Sequence, residues 1–271
     1  MYPSMRRPSA TTLAVALLAL VFALFFLLPF AGLVWRAVED PRAREALGDP
    51  AVGTALRLSL VTTAVAVTLS LLFGTPVAYL LARRQIPGGP VLDALLDLPI
   101  VLPPTVAGVA LLTAFGRRGL LGEPIEALTG LSLPFTALAV IVAQTFVAAP
   151  LYVRAARAGF EAVDPELEAM ARTLGASRAH VFRRITVPLA RGPLLAGAVL
   201  CWARALGELG ATLIFAGSLP GRTQTLPLAV VAAFEGGPLG LPGAVAISLV
   251  LLAVALALLV TLRLVAKRGL A

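Results

Sequence analysis

The sequence predicts an all-α, polytopic membrane protein with six transmembrane helices, and three observations carry that expectation. Of its 271 residues 59% are hydrophobic and the mean hydropathy is +0.95, far from a soluble average. Apolar runs long enough to cross a hydrocarbon core of roughly 30 Å recur along the chain. The arginines and lysine gather in one alternating set of the connections between those runs, as charge-directed topology requires.

Taken in order, Met1 to Arg7 is basic, and Thr11 to Val34 is a first span with Pro29 as a kink point. It exceeds a signal-peptide core in length and is expected to be retained. Arg36 to Pro50 is a mixed-charge connection. Val52 to Ala82 is a second span, with a kink expected where Pro76 follows Gly74 and with Arg57 snorkelling near its start. Arg83 to Gly89 is a turn. Leu96 to Gly122 is read as a third span whose beginning is crowded by Pro99, Pro103 and Pro104. Three prolines free backbone carbonyls at membrane depth, which suits either a pathway lining or a kinked or re-entrant helix start. A loop from Gly116 to Pro134 leads to a fourth span, Phe135 to Val153, carrying Gln144 and Thr145. Pro193 to Gly217 is the fifth span and Gly243 to Val265 the sixth.

Six crossings place both termini on one side. That side carries Arg6, Arg7, Arg83, Arg84, Arg154, Arg157, Arg172, Arg178, Arg183, Arg184, Arg191, Arg263, Lys267 and Arg268, fourteen in all. The other carries six: Arg36, Arg42, Arg44, Arg117, Arg118 and Arg222. The rule that cytoplasmic loops are basic then puts the termini and the 164–188 connection in the cytoplasm.

That connection, DPELEAMARTLGASRAHVFRRITVP, is the long polar stretch of an apolar chain. Asp164 can cap a helix, Pro165 suits its first position, and Glu166 and Glu168 sit where the helix dipole favours acid. Leu167, Met170, Ala171 and Leu174 fall on one face of about three turns, and Gly175 ends them. Ser177 starts a second helix with Val181, Phe182 and Ile185, which Pro188 is expected to stop. The pattern suits the common case of an amphipathic helix on a membrane surface, and the sharper reading is a docking element for a partner.

The scarce residues exclude several chemistries. One histidine, His180, and one cysteine, Cys201, rule out a histidine-based or cysteine-based metal cluster and a disulfide framework within one chain. Cys201 lies in an apolar run and reads as a small buried hydrophobe. The single lysine, Lys267, leaves no G-x-x-x-x-G-K-[ST] phosphate loop, so any ATP hydrolysis by that loop belongs to another subunit. The net charge of +8 is dispersed and aromatics are only 6%, so nucleic acid is not an expected partner. No catalytic constellation is present and the chain is not read as an enzyme. Arg204 and Glu208, four apart in the fifth span, can pair on one helix face, either as a pathway or gate element or as an ion pair locking helices together.

The order Glu168, Ala169, Ala171, Leu174, Gly175, then Ile185 and Pro188, resembles the EAA loop of ABC-transporter importer permeases. Glu168 lies one residue further from Gly175 than in the general pattern and Val187 stands where leucine is usual; the spacing is compatible with the variant of oxyanion importers. LGELGATLIFAG and PGRTQTLPLA, between Leu206 and Ala229, with DLPIVLPPTVAG (97–108) and GRRGLLG (116–122), look like the permease of the molybdate, tungstate and sulfate group. The resemblance covers Val52 to Val265. Gly207, Gly210 and Ala211 also suit close helix packing.

What the resemblance implies is a type I ABC importer permease, with a transmembrane type-1 domain over 51–266 and a coupling loop at 157–192. An N-terminal helix with its external loop (1–50) would precede it, and a cytoplasmic tail (267–271) would follow. Glu168, Ala169, Met170, Ala171, Leu174, Gly175, Ile185 and Pro188 are then the coupling residues, and Thr105, Thr113, Arg204, Glu208 and Thr212 candidates for lining the path. The implied substrate is molybdate, with sulfate or tungstate as alternatives and an ion-driven secondary transporter as the other class. The implied partners are an ABC ATPase subunit, which uses the ATP, a periplasmic or lipid-anchored oxyanion-binding protein, a second copy of the chain, and lipid. The location would be a bacterial or archaeal cytoplasmic membrane, with both termini cytoplasmic. No cofactor or metal is expected in the chain itself.

Overall fold

Aspartate–proline pairs start three of the helices. Asp40, Asp49 and Asp164 are each followed by proline at the first helical position, and each carboxylate accepts a backbone N–H two residues on, from Arg42 (3.0 Å), Ala51 (2.8 Å) and Glu166 (2.9 Å). The proline forgoes a donor that the first turn leaves unpaired, and the carboxylate satisfies the next. The computed structural model describes residues 10–270, with side chains over 11–261. Arg6 and Arg7 of the basic N-terminus lie outside the described residues, as do the side chains of Arg263, Lys267 and Arg268.

In chain order the helices are α1 (Ala10–Glu39), α2 (Pro41–Ala46), α3 (Pro50–Ala82), α4 (Gly89–Val101), α5 (Pro104–Phe115), α6 (Gly122–Thr129), α7 (Ala137–Glu161), α8 (Pro165–Thr173) and α9 (Arg178–Val181). A π-helical turn (Phe182–Thr186) then leads into α10 (Val187–Leu189), α11 (Arg191–Leu206), α12 (Gly210–Ala216), α13 (Leu226–Phe234) and α14 (Gly240–Leu270). No strand occurs among the described residues. Four helices, α1, α3, α7 and α14, are long and apolar enough to cross a membrane unaided, and two bent helix pairs bring the number to six.

The third and fifth spans differ from expectation. Leu96–Gly122 is not one helix: α4 and α5 meet at an angle of 119°. Leu102 and Pro103 each precede a proline and adopt extended ψ values of 139° and 136°, since a residue before proline is driven out of the helical region. Pro193–Gly217 breaks at 207–209, where no proline stands. Helix α11 is also bent by 74° from the segment Arg178–Leu189 before it. The short helices α2, α6 and α13, in stretches read as connections, complete the molecule.

Helix α7 is the centre, packed along α3 on one side and α11 on the other. Small residues permit the approach. A methyl group on Gly197 would lie 2.8 Å from Ala155, on Gly159 2.7 Å from Pro193, and on Gly74 3.0 Å from Tyr152. Tyr152, Ala156, Phe160 and the buried Cys201 fill this seam. A second cluster joins α5, α7 and α12 through Ala107, Val140, Ala143, Ala211 and Phe215, and a third joins α3, α13 and α14. Hydroxyls inside the bundle bond within or between helices: Ser59 accepts the Leu226 N–H (2.7 Å), Trp202 donates to Thr63 (3.1 Å), and Thr75 bonds Tyr152 (2.6 Å). By contrast α1 exposes Leu13 to Trp35 on all sides, the surface of a helix solvated by lipid.

Candidate functional site

The 164–188 connection begins where α7 ends. Helix α8 closes with a Schellman arrangement: Ala176 N–H bonds the Ala171 carbonyl and Gly175 N–H the Arg172 carbonyl, both at 3.0 Å, while Gly175 takes φ +88°. Ser177 caps α9 through His180 N–H (3.3 Å). The second helix does not stop at Pro188. It widens into the π turn, where Val187 N–H reaches the Phe182 carbonyl, and continues as α10 to Leu189. Proline has no N–H to give, so a widened turn followed by a fresh first turn starting around Pro188 accommodates it without breaking the chain direction.

The faces of α8 are divided sharply. Leu167, Met170 and Leu174 point outward, Leu174 being 89% exposed, whereas Glu168 is 5% exposed. Ala169, Gly175 and Pro188 are also exposed, and Ala171 and Ile185 half-buried. The structure therefore presents the apolar stripe and hides the acid. Glu168 Oε1 takes Arg83 Nη2 at 2.6 Å and the Thr186 hydroxyl at 2.8 Å; Oε2 takes the Tyr79 hydroxyl at 3.3 Å and Arg83 Nε at 3.4 Å. Arg83 also caps the end of α7, donating to the carbonyls of Phe160 (2.8 Å) and Val163 (3.3 Å). Tyr79, Phe160 and Phe182 pack as a ring cluster with centroids 5.0 to 6.0 Å apart. Burial works to raise the Glu168 carboxyl, but the hydrogen bonds from Arg83 and Thr186 and the Arg83 charge outweigh it and hold it below its usual range.

Tyr79, Arg83 and Thr186 are the partners of Glu168 in this candidate site, and the sequence did not single them out. Arg83 was legible only as one basic residue of the turn after the second span. Nearby, Arg154 pairs with Asp97 (2.6 Å) and Arg157 with Asp93 (2.5 Å) and Glu161 (2.8 Å), fixing α4 to the C-terminal half of α7.

The candidate path residues fall apart into two groups. Arg204 and Glu208 do pair, at 2.6 Å, with Glu208 1% and Arg204 32% exposed at the side chain. They do not share a helix, as Glu208 sits in the break after α11. Its Oε1 accepts Ala211 N–H at 2.8 Å and so starts α12. A methyl on Gly210 would strike Pro104 at 2.7 Å, which places the start of α12 against the start of α5 and near Thr105. Thr105 is exposed. Thr113, two turns along α5, is exposed and bonds the Ala110 carbonyl (2.9 Å). Thr212 is fully buried, and its hydroxyl has no hydrogen-bond partner among the described residues, as is true of Gln144 Oε1.

Residues 74–268 match the family described as "Binding-protein-dependent transport system inner membrane component". The chain is 43% identical over 202 residues to the molybdenum transport system permease protein ModB of Escherichia coli K12, covering 74% of this chain and 88% of that protein. It is 42% identical over 241 residues to ModB of Mycobacterium tuberculosis H37Rv, covering 89% of each. A crystal structure of a bacterial alginate ABC transporter in complex with an alginate pentasaccharide-bound periplasmic protein superposes with a TM-score of 0.70 over 94% of both chains at 17% identity, a likeness of fold. With a bundle of this shape and a polar connection that projects a helix from it, the chain belongs to the family of inner-membrane components of binding-protein-dependent transport systems, a multi-pass permease of type I ABC importer fold and not an enzyme.

Proposed function

We propose that this chain is the permease of an ATP-driven importer that carries molybdate across the cytoplasmic membrane. The carrying observation is the outward apolar face of α8, Leu167, Met170 and Leu174, on a helix anchored from behind by its buried acid. A face of that kind, on the side rich in arginine, suits a groove in an ATP-hydrolysing subunit. The choice of molybdate draws on what the two relatives are named for.

In this reading residues 51–266 form the transmembrane domain, 157–192 the coupling loop, 1–50 the N-terminal helix and external loop, and 267–271 a cytoplasmic tail. The partners are an ATPase subunit that uses the ATP, a periplasmic or lipid-anchored oxyanion-binding protein, lipid, and a second copy of this chain to complete the pathway. Both termini are cytoplasmic. ATP binding draws the two α8 helices together and turns the path outward; hydrolysis releases them. Glu168, Ala169, Met170, Ala171, Leu174, Gly175, Ile185 and Pro188 form the coupling element. Of the candidates, Thr105, Thr113 and Arg204 are exposed enough to border the path, with Glu208 and Thr212 buried behind them; few cations there keep an oxyanion weakly held, as passage requires. Glu208 is committed to Arg204 and to a backbone N–H, which disfavours proton coupling through it.

The test is ATP hydrolysis and uptake in liposomes holding this chain, its ATPase and its binding protein, with molybdate, tungstate and sulfate compared. Stimulation by molybdate is expected. Stimulation by sulfate alone overturns the substrate, and uptake that ignores ATP but collapses with the proton gradient overturns the importer.

A further inference from the structure

We infer that Arg83 is the positioning residue through which movement of the coupling helix reaches the transmembrane bundle. The inference rests on the importer reading above. Helix α8 packs mainly on α9 and the π turn, all parts of the same connection. Its strong tie to the bundle is a buried side-chain knot. Arg83 stands at the cytoplasmic end of α3, and its side chain is 9% exposed against 7% for that of Glu168.

One planar fork of donors serves three elements. It grips Glu168 on α8 at 2.6 Å, and it occupies the carbonyl of Phe160 in the last turn of α7 at 2.8 Å and that of Val163, in the link between α7 and α8, at 3.3 Å. Among the described residues α3 and α7 are the most extensively packed pair, so a displacement of α8 that carries Glu168 carries Arg83 and with it both helices. Thr186 ties the same carboxylate oxygen to the π turn, so both halves of the connection move as one body. Lysine cannot replace this function in full. A single ammonium can pair with Glu168, but it lacks the fixed fork that reaches the two carbonyls at the same time. The docking stripe on α8 is separate from the knot, so weakening the knot leaves the ATPase contact intact while loosening what that contact drives.

The experiment measures ATP hydrolysis and molybdate uptake side by side in liposomes containing the full complex, for wild type, Arg83→Gln, Arg83→Lys and Thr186→Val. Wild-type uptake, read first, tests the importer reading alone. For Arg83→Gln the ATPase still co-purifies and hydrolysis persists, but molybdate moved per ATP falls by about fivefold or more, the scale of a lost coupling between sites. Arg83→Lys recovers part of the ratio, and Thr186→Val lowers it less. A wild-type ratio in Arg83→Gln overturns the inference. So does a proportional loss of hydrolysis and uptake, with the complex dissociating, in both Arg83→Gln and Thr186→Val, since that marks a merely structural contact.

Discussion

Glu168 sits in a connection whose apolar neighbours face outward, and its own charge is turned inward. Its carboxyl is held below the usual value of 4.5, and a depressed carboxylate contributes stability that is fully present above its unfolded pKa and fades as pH falls through the native value. The thermal midpoint of the wild type minus that of Glu168→Gln should therefore stay constant from neutral pH down to about 5 and shrink below it. Glu168→Ala, which leaves Arg83 buried and unpaired, should cost about 3 kcal/mol in a detergent unfolding assay. Gly108 makes a second prediction at this scale. A methyl there would lie 2.7 Å from the Ile214 Cβ and 3.0 Å from the Ala211 backbone, so Gly108→Ala should separate α5 from α12 at a cost of roughly 1–3 kcal/mol, read as a lowered midpoint.

At the scale of elements, α8 is a short helix with a good start and a good stop and one uncovered side. Leu174→Ser removes apolar surface from that side without touching the knot, so the bundle should melt as the wild type does. Affinity for the ATPase subunit should fall by about tenfold or more, checked by co-purification and titration. Gly175→Ala meets nothing within 4 Å, so its cost is that of the left-handed backbone alone, about 1 kcal/mol on the loop and little on the bundle. The break between α11 and α12 depends on a side chain in place of a proline. Glu208→Gln keeps an oxygen for the Ala211 N–H, whereas Glu208→Leu removes both the cap and the partner of Arg204. The second variant should lose more stability than the first.

For the molecule as a whole, the proposed orientation makes a prediction independent of transport. Cys201 is the single cysteine and is fully buried, so the chain supplies a silent background for labelling. A cysteine at His180 should react with an impermeant maleimide from the cytosolic side alone, and one at Arg118 from the opposite side alone. The reverse pattern would invert the topology drawn from fourteen basic residues against six.

Composition and local pattern are enough to reveal the membrane class, the long helices α1, α3, α7 and α14, and the place and apolar stripe of α8. Hydrophobic length, aspartate–proline starts and a glycine stop are local properties, readable within a few turns. The break at Pro103 was half visible, because the prolines mark a weak point without saying how far the chain turns there. The packed fold alone shows that Pro188 begins a helical turn in place of ending one, that Glu208 starts α12, and that Thr212 is enclosed. It alone joined Glu168 to Arg83, 85 positions away. Such a pairing has no period and no spacing in the sequence; it exists because small residues let α3 and α7 lie close enough for one guanidinium to reach the end of each and the loop beyond.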